Sequence, residues 1–158
     1  MNAGPDAMIT AAIQRDWHRP TVNDWVAVLA RLALFADVSR RRLRKVAELA
    51  EFRDYEPHSV VVQTGDTADG FYVILAGRAK RAGRAGGRLL RPGDYFGEMA
   101  LLDGGARSAT IVAVSELQTM RLPRAPFLQL LEREPQIAIG MLGGLAGRVR
   151  GLEHATVA

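Results

Sequence analysis

The sequence predicts an α+β domain that is mainly β, a small sandwich or barrel of short strands with helices at both ends. Three observations carry this expectation. Between residues 52 and 122, β-rich runs such as Val60-Val61-Val62 and 71–75 are separated by Gly-Asp and Asp-Gly turn signals. Before that region, apolar residues recur at helical spacing. After it, Pro123, Pro126 and Pro135 punctuate two further helical stretches. At 158 residues the chain is the size of one domain with a proper core.

Taken in order, residues 1–22 form a lead-in of mixed character in which Trp17 could anchor onto the body. The domain proper is expected over 23–158, with helices in 23–51, the β region in 52–122 and C-terminal helices in 123–153. Asn23 or Asp24 is the cap expected for the first helix, whose Val26, Leu29, Ala30 and Ala33 share a face, with Trp25 as core or interface filling. Ser39 caps the next, with Leu43, Val46, Ala47 and Ala50 as its apolar stripe. Residues 81–87 read as a glycine-rich hairpin tip before a short strand at 88–91. Strands at 109–114 and 117–122 complete the β set.

Pro126 fits an early turn of a helix reaching about Glu132, and Pro135 the start of one reaching about Glu153. In this last helix Ala138, Leu142, Leu145, Val149 and Leu152 follow a heptad seam, which is compatible with a homodimer. Gly140, Gly144, Gly147 and Gly151 fall on roughly the opposite face, at a cost of about 0.8–1 kcal/mol each relative to alanine. Either that face packs closely on the β region, or the helix is a lid whose C-terminal half orders when a ligand arrives.

Composition excludes several classes. Hydrophobic residues at 48% and charged residues at 24% are ordinary for a soluble domain. No apolar run is long enough to span a bilayer and no signal-peptide pattern opens the chain, so a cytoplasmic protein is expected. There is no cysteine, and His18, His58 and His154 are scattered, so neither a metal site nor a cofactor is expected. Basic residues bunch at 40–45 and again at Arg78, Lys80, Arg81, Arg84, Arg88 and Arg91, but the net charge is only +4. No aromatic residue interleaves with them, so they read as solvated faces and not as a nucleic-acid or membrane surface.

The chemistry concentrates in 96–110. Gly97-Glu98 opens a one-turn apolar stretch, Met99-Ala100-Leu101-Leu102, and the loop Asp103-Gly104-Gly105-Ala106 leads to Arg107-Ser108-Ala109-Thr110. A helix N-terminus offers unpaired N–H groups and partial positive charge to an anion. Arg107 adds a planar fork that can hold two oxygens of one phosphate. Glu98 cannot bind the same phosphate, because two anions repel; a hydroxyl donor such as a ribose 2′-OH suits it. A phosphate and a sugar hydroxyl held close together point to a cyclic nucleotide.

Residues 96–110 resemble the phosphate-binding cassette of the cyclic nucleotide-binding domain family, which includes bacterial catabolite activators, regulatory subunits of cAMP-dependent kinase and cyclic-nucleotide-gated channels. The resemblance extends to 34–47, to 65–77 (Gly65-Asp66 through Ala76-Gly77) and to Pro92-Gly93-Asp94-Tyr95-Phe96. It implies an eight-stranded, jelly-roll-like β-roll with an N-terminal helical bundle and C-terminal lid helices. It also implies ligand contacts from Phe96, Gly97, Glu98, Met99 and Ala100, with Glu98 accepting from the ribose 2′-OH. Arg107 matches the phosphate arginine, and the N–H groups of Ser108 and Ala109 finish the cradle. Glu98 and Arg107 could alternatively pair with each other in a sealed, ligand-free roll.

The base is expected against Val61, Leu90 and Met99, under a lid supplied by Arg148 and Leu152. Arg148 either stacks on the base or is a solvated helix residue. The hydroxyl that catabolite activators use for adenine is replaced by Leu152, and Ser108 favours neither nucleotide, so cAMP is the first candidate and cGMP the second. The function implied is a stand-alone, non-catalytic regulatory module acting on an unidentified protein effector. The alternatives are a ligand-independent scaffold or a truncated catabolite-activator-like transcription regulator. Cyclic-phosphate hydrolysis would need an activated, usually metal-bound water, and no ligand set for one stands out. Only residues 154–158 follow Glu153, leaving no helix-turn-helix, so DNA is not an expected partner.

Overall fold

The computed structural model describes residues 20–82 and 87–157. Three short helical elements lead: α1 (Val22–Ala30), a 3-10 turn (Ala33–Phe35) and α2 (Arg40–Ala47). The strands β1 (Glu51–Tyr55), β2 (Val60–Val62), β3 (Gly70–Ala76), β4 (Ala79–Arg81), β5 (Arg88–Leu90) and β6 (Tyr95–Phe96) follow. Then come α3 (Glu98–Asp103), β7 (Ile111–Ala113), β8 (Leu117–Pro123), α4 (Arg124–Arg133) and α5 (Pro135–Val157). The strands form two antiparallel four-stranded sheets ordered β1-β8-β3-β6 and β2-β7-β4-β5. The lead-in anchor Trp17 and hairpin-tip Arg84 lie outside the described residues.

β3 explains the layering. Its run GFYVILA is buried on both faces, and strand alternation divides it between two cores. Phe71, Val73 and Leu75 face the helices, where Leu29, Phe35, Val46, Phe127 and Ile137 pack with them. Tyr72 and Ile74 face the interior of the roll with Val62, Leu90, Ile111 and Leu117. The cleft described below opens from this second, smaller core.

Helix caps follow the polar residues, with one correction. Ser39 caps α2, its hydroxyl accepting from the Arg42 N–H at 3.4 Å. The cap of α1 is Thr21, not Asn23 or Asp24. Thr21 Oγ1 accepts from Asp24 N–H at 3.3 Å, while the Asp24 carboxylate accepts from Thr21 N–H at 2.7 Å. Asp24 is thus the third residue of a reciprocal capping box, and the helix opens at Val22. The basic run at 40–45 has partners: Lys45 pairs with Glu134, and Arg44 donates to Asn23 at 3.1 Å.

The last helix extends to Val157, past the expected end at Glu153. Its glycine face packs on the helical segment and not on the β-roll. A Cβ at Gly144 would lie 2.5 Å from the Ala33 carbonyl oxygen, and one at Gly140 would lie 2.9 Å from that of Asp37. Beyond this contact, a Cβ at Gly147 or Gly151 would meet nothing within 4 Å among the described residues. Of the heptad positions, Leu145 packs on the core, whereas Leu142, Val149 and Leu152 are more than half exposed.

Candidate functional site

The loop after β6 turns on Gly97, whose φ of +89° lies in the left-handed region that glycine tolerates. The turn delivers Glu98 to the first position of α3. The return loop is tied to the chain before β3: Arg107 N–H donates to the Asp66 carbonyl at 2.8 Å, and Gly65 N–H to the Arg107 carbonyl at 2.9 Å. Between them lies a cleft of about 600 Å³. It brings together Phe96, Gly97, Glu98, Arg107, Ser108 and Ala109, together with Leu90 and Arg148.

Arg107 is the buried charge of this site, only 6% exposed. Its Nη2 donates to the Gly70 carbonyl at 2.8 Å and to Asp69 Oδ1 at 3.3 Å, and its guanidinium carbon lies 5.7 Å from the Tyr72 ring centre. Nη1 is buried beside Gly97 with no hydrogen-bond acceptor among the described residues. A buried donor of this kind is costly unless an acceptor satisfies it, and a charged one more so. An anionic oxygen is the partner its chemistry suits.

Glu98 is drawn elsewhere. Its Oε1 accepts from Arg148 Nη1 at 3.4 Å and Nη2 at 3.5 Å, and the Arg148 guanidinium carbon sits 5.4 Å from the Tyr95 ring centre. Glu98 and Arg107 therefore do not pair with each other; each has its own partner. Burial pushes the Tyr95 phenol above its ordinary range, against the lowering pull of Arg148, so this ring stays neutral beneath the cation.

Two sequence expectations lie differently, and a third falls outside the described side chains. The cleft is lined by Val62, not Val61. Register advances two residues on β2 for one on β7, so Val61 is the extra residue of a bulge and Val62 takes the inward place beside Ile111. Leu152 is 69% exposed and lies outside the cleft lining, on the turn after Arg148. Met99 and Ala100 are helical, but their side chains fall outside the described residues.

Sequence reasoning missed the support behind Arg107, namely Asp69, Gly70 and Tyr72, because these contacts span nearly forty positions. It also missed that Arg81 and Arg88 face the cleft. That was legible in principle: alternation puts Arg81 on the face of buried Ala79, and Arg88 on that of buried Leu90. Among the described residues, no group of three His, Asp or Glu could hold a metal ion, and no helix is long and apolar enough to cross a membrane.

Comparisons with known proteins identify the family and the fold. A sequence model described as the cyclic nucleotide-binding domain matches residues 52–134, just over half of the chain. A cAMP-dependent protein kinase regulatory subunit of Pyricularia oryzae is 36% identical over 91 residues, 55% of this chain and 23% of that protein. The cGMP-dependent protein kinase egl-4 of Caenorhabditis briggsae is 29% identical over 132 residues, 78% of this chain and 17% of that protein. The chain thus spans less than a quarter of either relative. Among solved structures, the N-terminal domain of a transcriptional regulator from Streptomyces coelicolor A3(2) superposes with a TM-score of 0.70 at 26% identity, covering 83% of this chain and 96% of that one.

Proposed function

Because the chain belongs to the cyclic nucleotide-binding domain family, we propose that it is a non-catalytic receptor module for a 3′,5′-cyclic nucleotide, with cAMP the first candidate and cGMP the second. The observation that carries this reading is the buried Arg107 guanidinium with one donor unsatisfied, across one cleft from Glu98. Arg107 holds the cyclic phosphate with the backbone N–H groups of Ser108 and Ala109. Gly97 lets the backbone approach, and Glu98 accepts from the ribose 2′-OH. Val62, Ile111 and Leu90 give the base an apolar wall. Similar kinases named for cAMP and for cGMP support the ligand class and leave the base open.

Signal leaves through α5. The ribose hydroxyl and Arg148 compete for Glu98, so ligand frees or repositions Arg148. The front of α5 is locked by Gly144 on the 3-10 turn and by Gly140 on Asp37 and Val38 just after it; at Gly147 and Gly151 no such close approach is made among the described residues, and this rear part is the one able to move. A protein effector reads that movement, and the exposed Leu142 and Val149 are the surface offered to it or to a second copy.

Calorimetry of the purified chain with cAMP and cGMP tests the reading. Micromolar or tighter binding of one nucleotide is expected; binding of neither would make the module a ligand-independent scaffold. A chain ending at Leu142 should bind about tenfold more weakly, since the Arg148 that ligand displaces from Glu98 is no longer there to close over the base, and one hydrogen bond to a charged group is worth roughly 1.5–3 kcal/mol. Equal affinity would mean a pocket formed without the lid.

A further inference from the structure

We propose that the β4–β5 rim of the cleft is a second anion subsite, built by Arg81 and Arg88, and that it takes the second phosphodiester of a cyclic dinucleotide. The inference rests on the reading above, in which Arg107 holds the first phosphate.

The register places these two arginines directly opposite each other on neighbouring strands, with Ile111 next across the sheet and Val62 beyond it. All four line the same cleft, so the row runs from two cations to two apolar side chains along one inner face. Like charges directly opposite in an antiparallel pair repel and destabilise the ladder. An anion between them turns that repulsion into a two-sided clamp, and guanidinium forks suit phosphate oxygens in particular.

Among the described residues, nothing neutralises the pair. Three carboxylates line the cleft, and each is already engaged. Glu98 accepts from Arg148, Asp94 accepts from the Arg91 N–H at 2.9 Å, and Asp103 accepts from the Gly105 N–H at 2.7 Å. Neither Arg81 nor Arg88 makes an ion pair among the described residues. The hairpin tip between them, 83–86, contains no acid that could supply one.

Size and chemistry converge on a dinucleotide. About 600 Å³ leaves room beside a single cyclic mononucleotide. In a 3′,5′-linked cyclic dinucleotide each ribose keeps its 2′-OH next to a phosphodiester. One phosphate can therefore sit at Arg107 with its neighbouring hydroxyl at Glu98, while the other phosphate reaches the rim.

The test is calorimetry at one fixed ionic strength with cAMP, cyclic di-AMP and cyclic di-GMP, on the native chain and on R81Q/R88Q, with R88Q alone as a milder second variant. At least one dinucleotide should bind the native chain tenfold or more tightly than cAMP. In R81Q/R88Q the ratio of dinucleotide to cAMP affinity should fall tenfold or more, and R88Q should lie between. A chain that binds cAMP but neither dinucleotide, or a ratio unchanged within twofold in both variants, overturns the subsite and leaves the cyclic-nucleotide reading standing. Failure of these three ligands and of cGMP to bind the native chain overturns that reading and the subsite with it.

Discussion

Arg107→Ala is expected to weaken cyclic-nucleotide binding about thirty-fold or more while moving the ligand-free melting temperature little. Truncating one member of a buried, hydrogen-bonded charge pair costs about 2–5 kcal/mol, and each decade of affinity is about 1.4 kcal/mol. Stability should respond less, because two effects of the substitution oppose each other. Alanine loses the charge-assisted bond to the Gly70 carbonyl, yet it also removes a buried cation whose Nη1 finds no acceptor among the described residues. The exposed Asp69 loses a contact of small worth. Two measurements separate the readings: calorimetric affinity, and the rise in melting temperature that saturating ligand produces. If the arginine serves the ligand, that rise should largely vanish while the ligand-free value holds. A variant that melts far lower but binds as tightly as the native chain would make Arg107 a structural residue and remove the phosphate assignment.

The same residue shows what a sequence can and cannot carry. The stretch from Phe96 to Ala109 is local, so the turn glycine, the acid and the arginine could be read together from their order alone. What holds the arginine in its buried place, with Nη2 satisfied and Nη1 left for an anion, comes from the chain at the start of β3, where Asp69, Gly70 and Tyr72 stand behind it. No local pattern encodes that pairing. Strands divided in the same way. β3 announces itself as a continuous apolar run because both of its faces are buried. β1, with the sequence EFRDY, β4, with AKR, and β6, of two residues, carry polar or half-buried patterns that β propensity alone does not single out. The count of eight came from resemblance, not from periodicity.

Two further mismatches have local causes that a one-residue shift can hide. Three consecutive valines offered no way to choose the inward one, and the bulge at Val61 put Val62 there. Thr21 and Asp24 both suit a helix start, and the capping box assigns the cap to the earlier of them. The glycine face of α5 was legible as a close-approach surface, but its partner was not. It is the row of carbonyls from Ala33 and Leu34 in the 3-10 turn to Asp37 just after it, about a hundred residues away in sequence, and only the folded chain brings the two together. The outcome bears on the proposed signalling route: a helix clamped at its front over the helical segment would transmit through the part beyond the clamp.

Gly97→Ala should damage both folding and binding, and by a route that Arg107→Ala does not share. The left-handed φ at this position strains any residue with a Cβ, and such strain costs on the order of 1–3 kcal/mol. For a domain of this size that is a fall of several degrees in melting temperature. Space adds to conformation: the new methyl would stand 2.5 Å from Arg107 Nη1 and 2.9 Å from the Gly70 carbonyl oxygen, the group that anchors the guanidinium. The chain must therefore either shift the loop that presents Glu98 or push the arginine off its acceptor. In both cases ligand affinity should fall tenfold or more. Since the methyl acts through the guanidinium, G97A/R107A should bind about as weakly as R107A alone, while its melting temperature still drops. Full additivity of the two binding losses would mean that Gly97 contributes chiefly its own backbone N–H to the phosphate. Native affinity in Gly97→Ala would mean that the cradle lies elsewhere in the cleft.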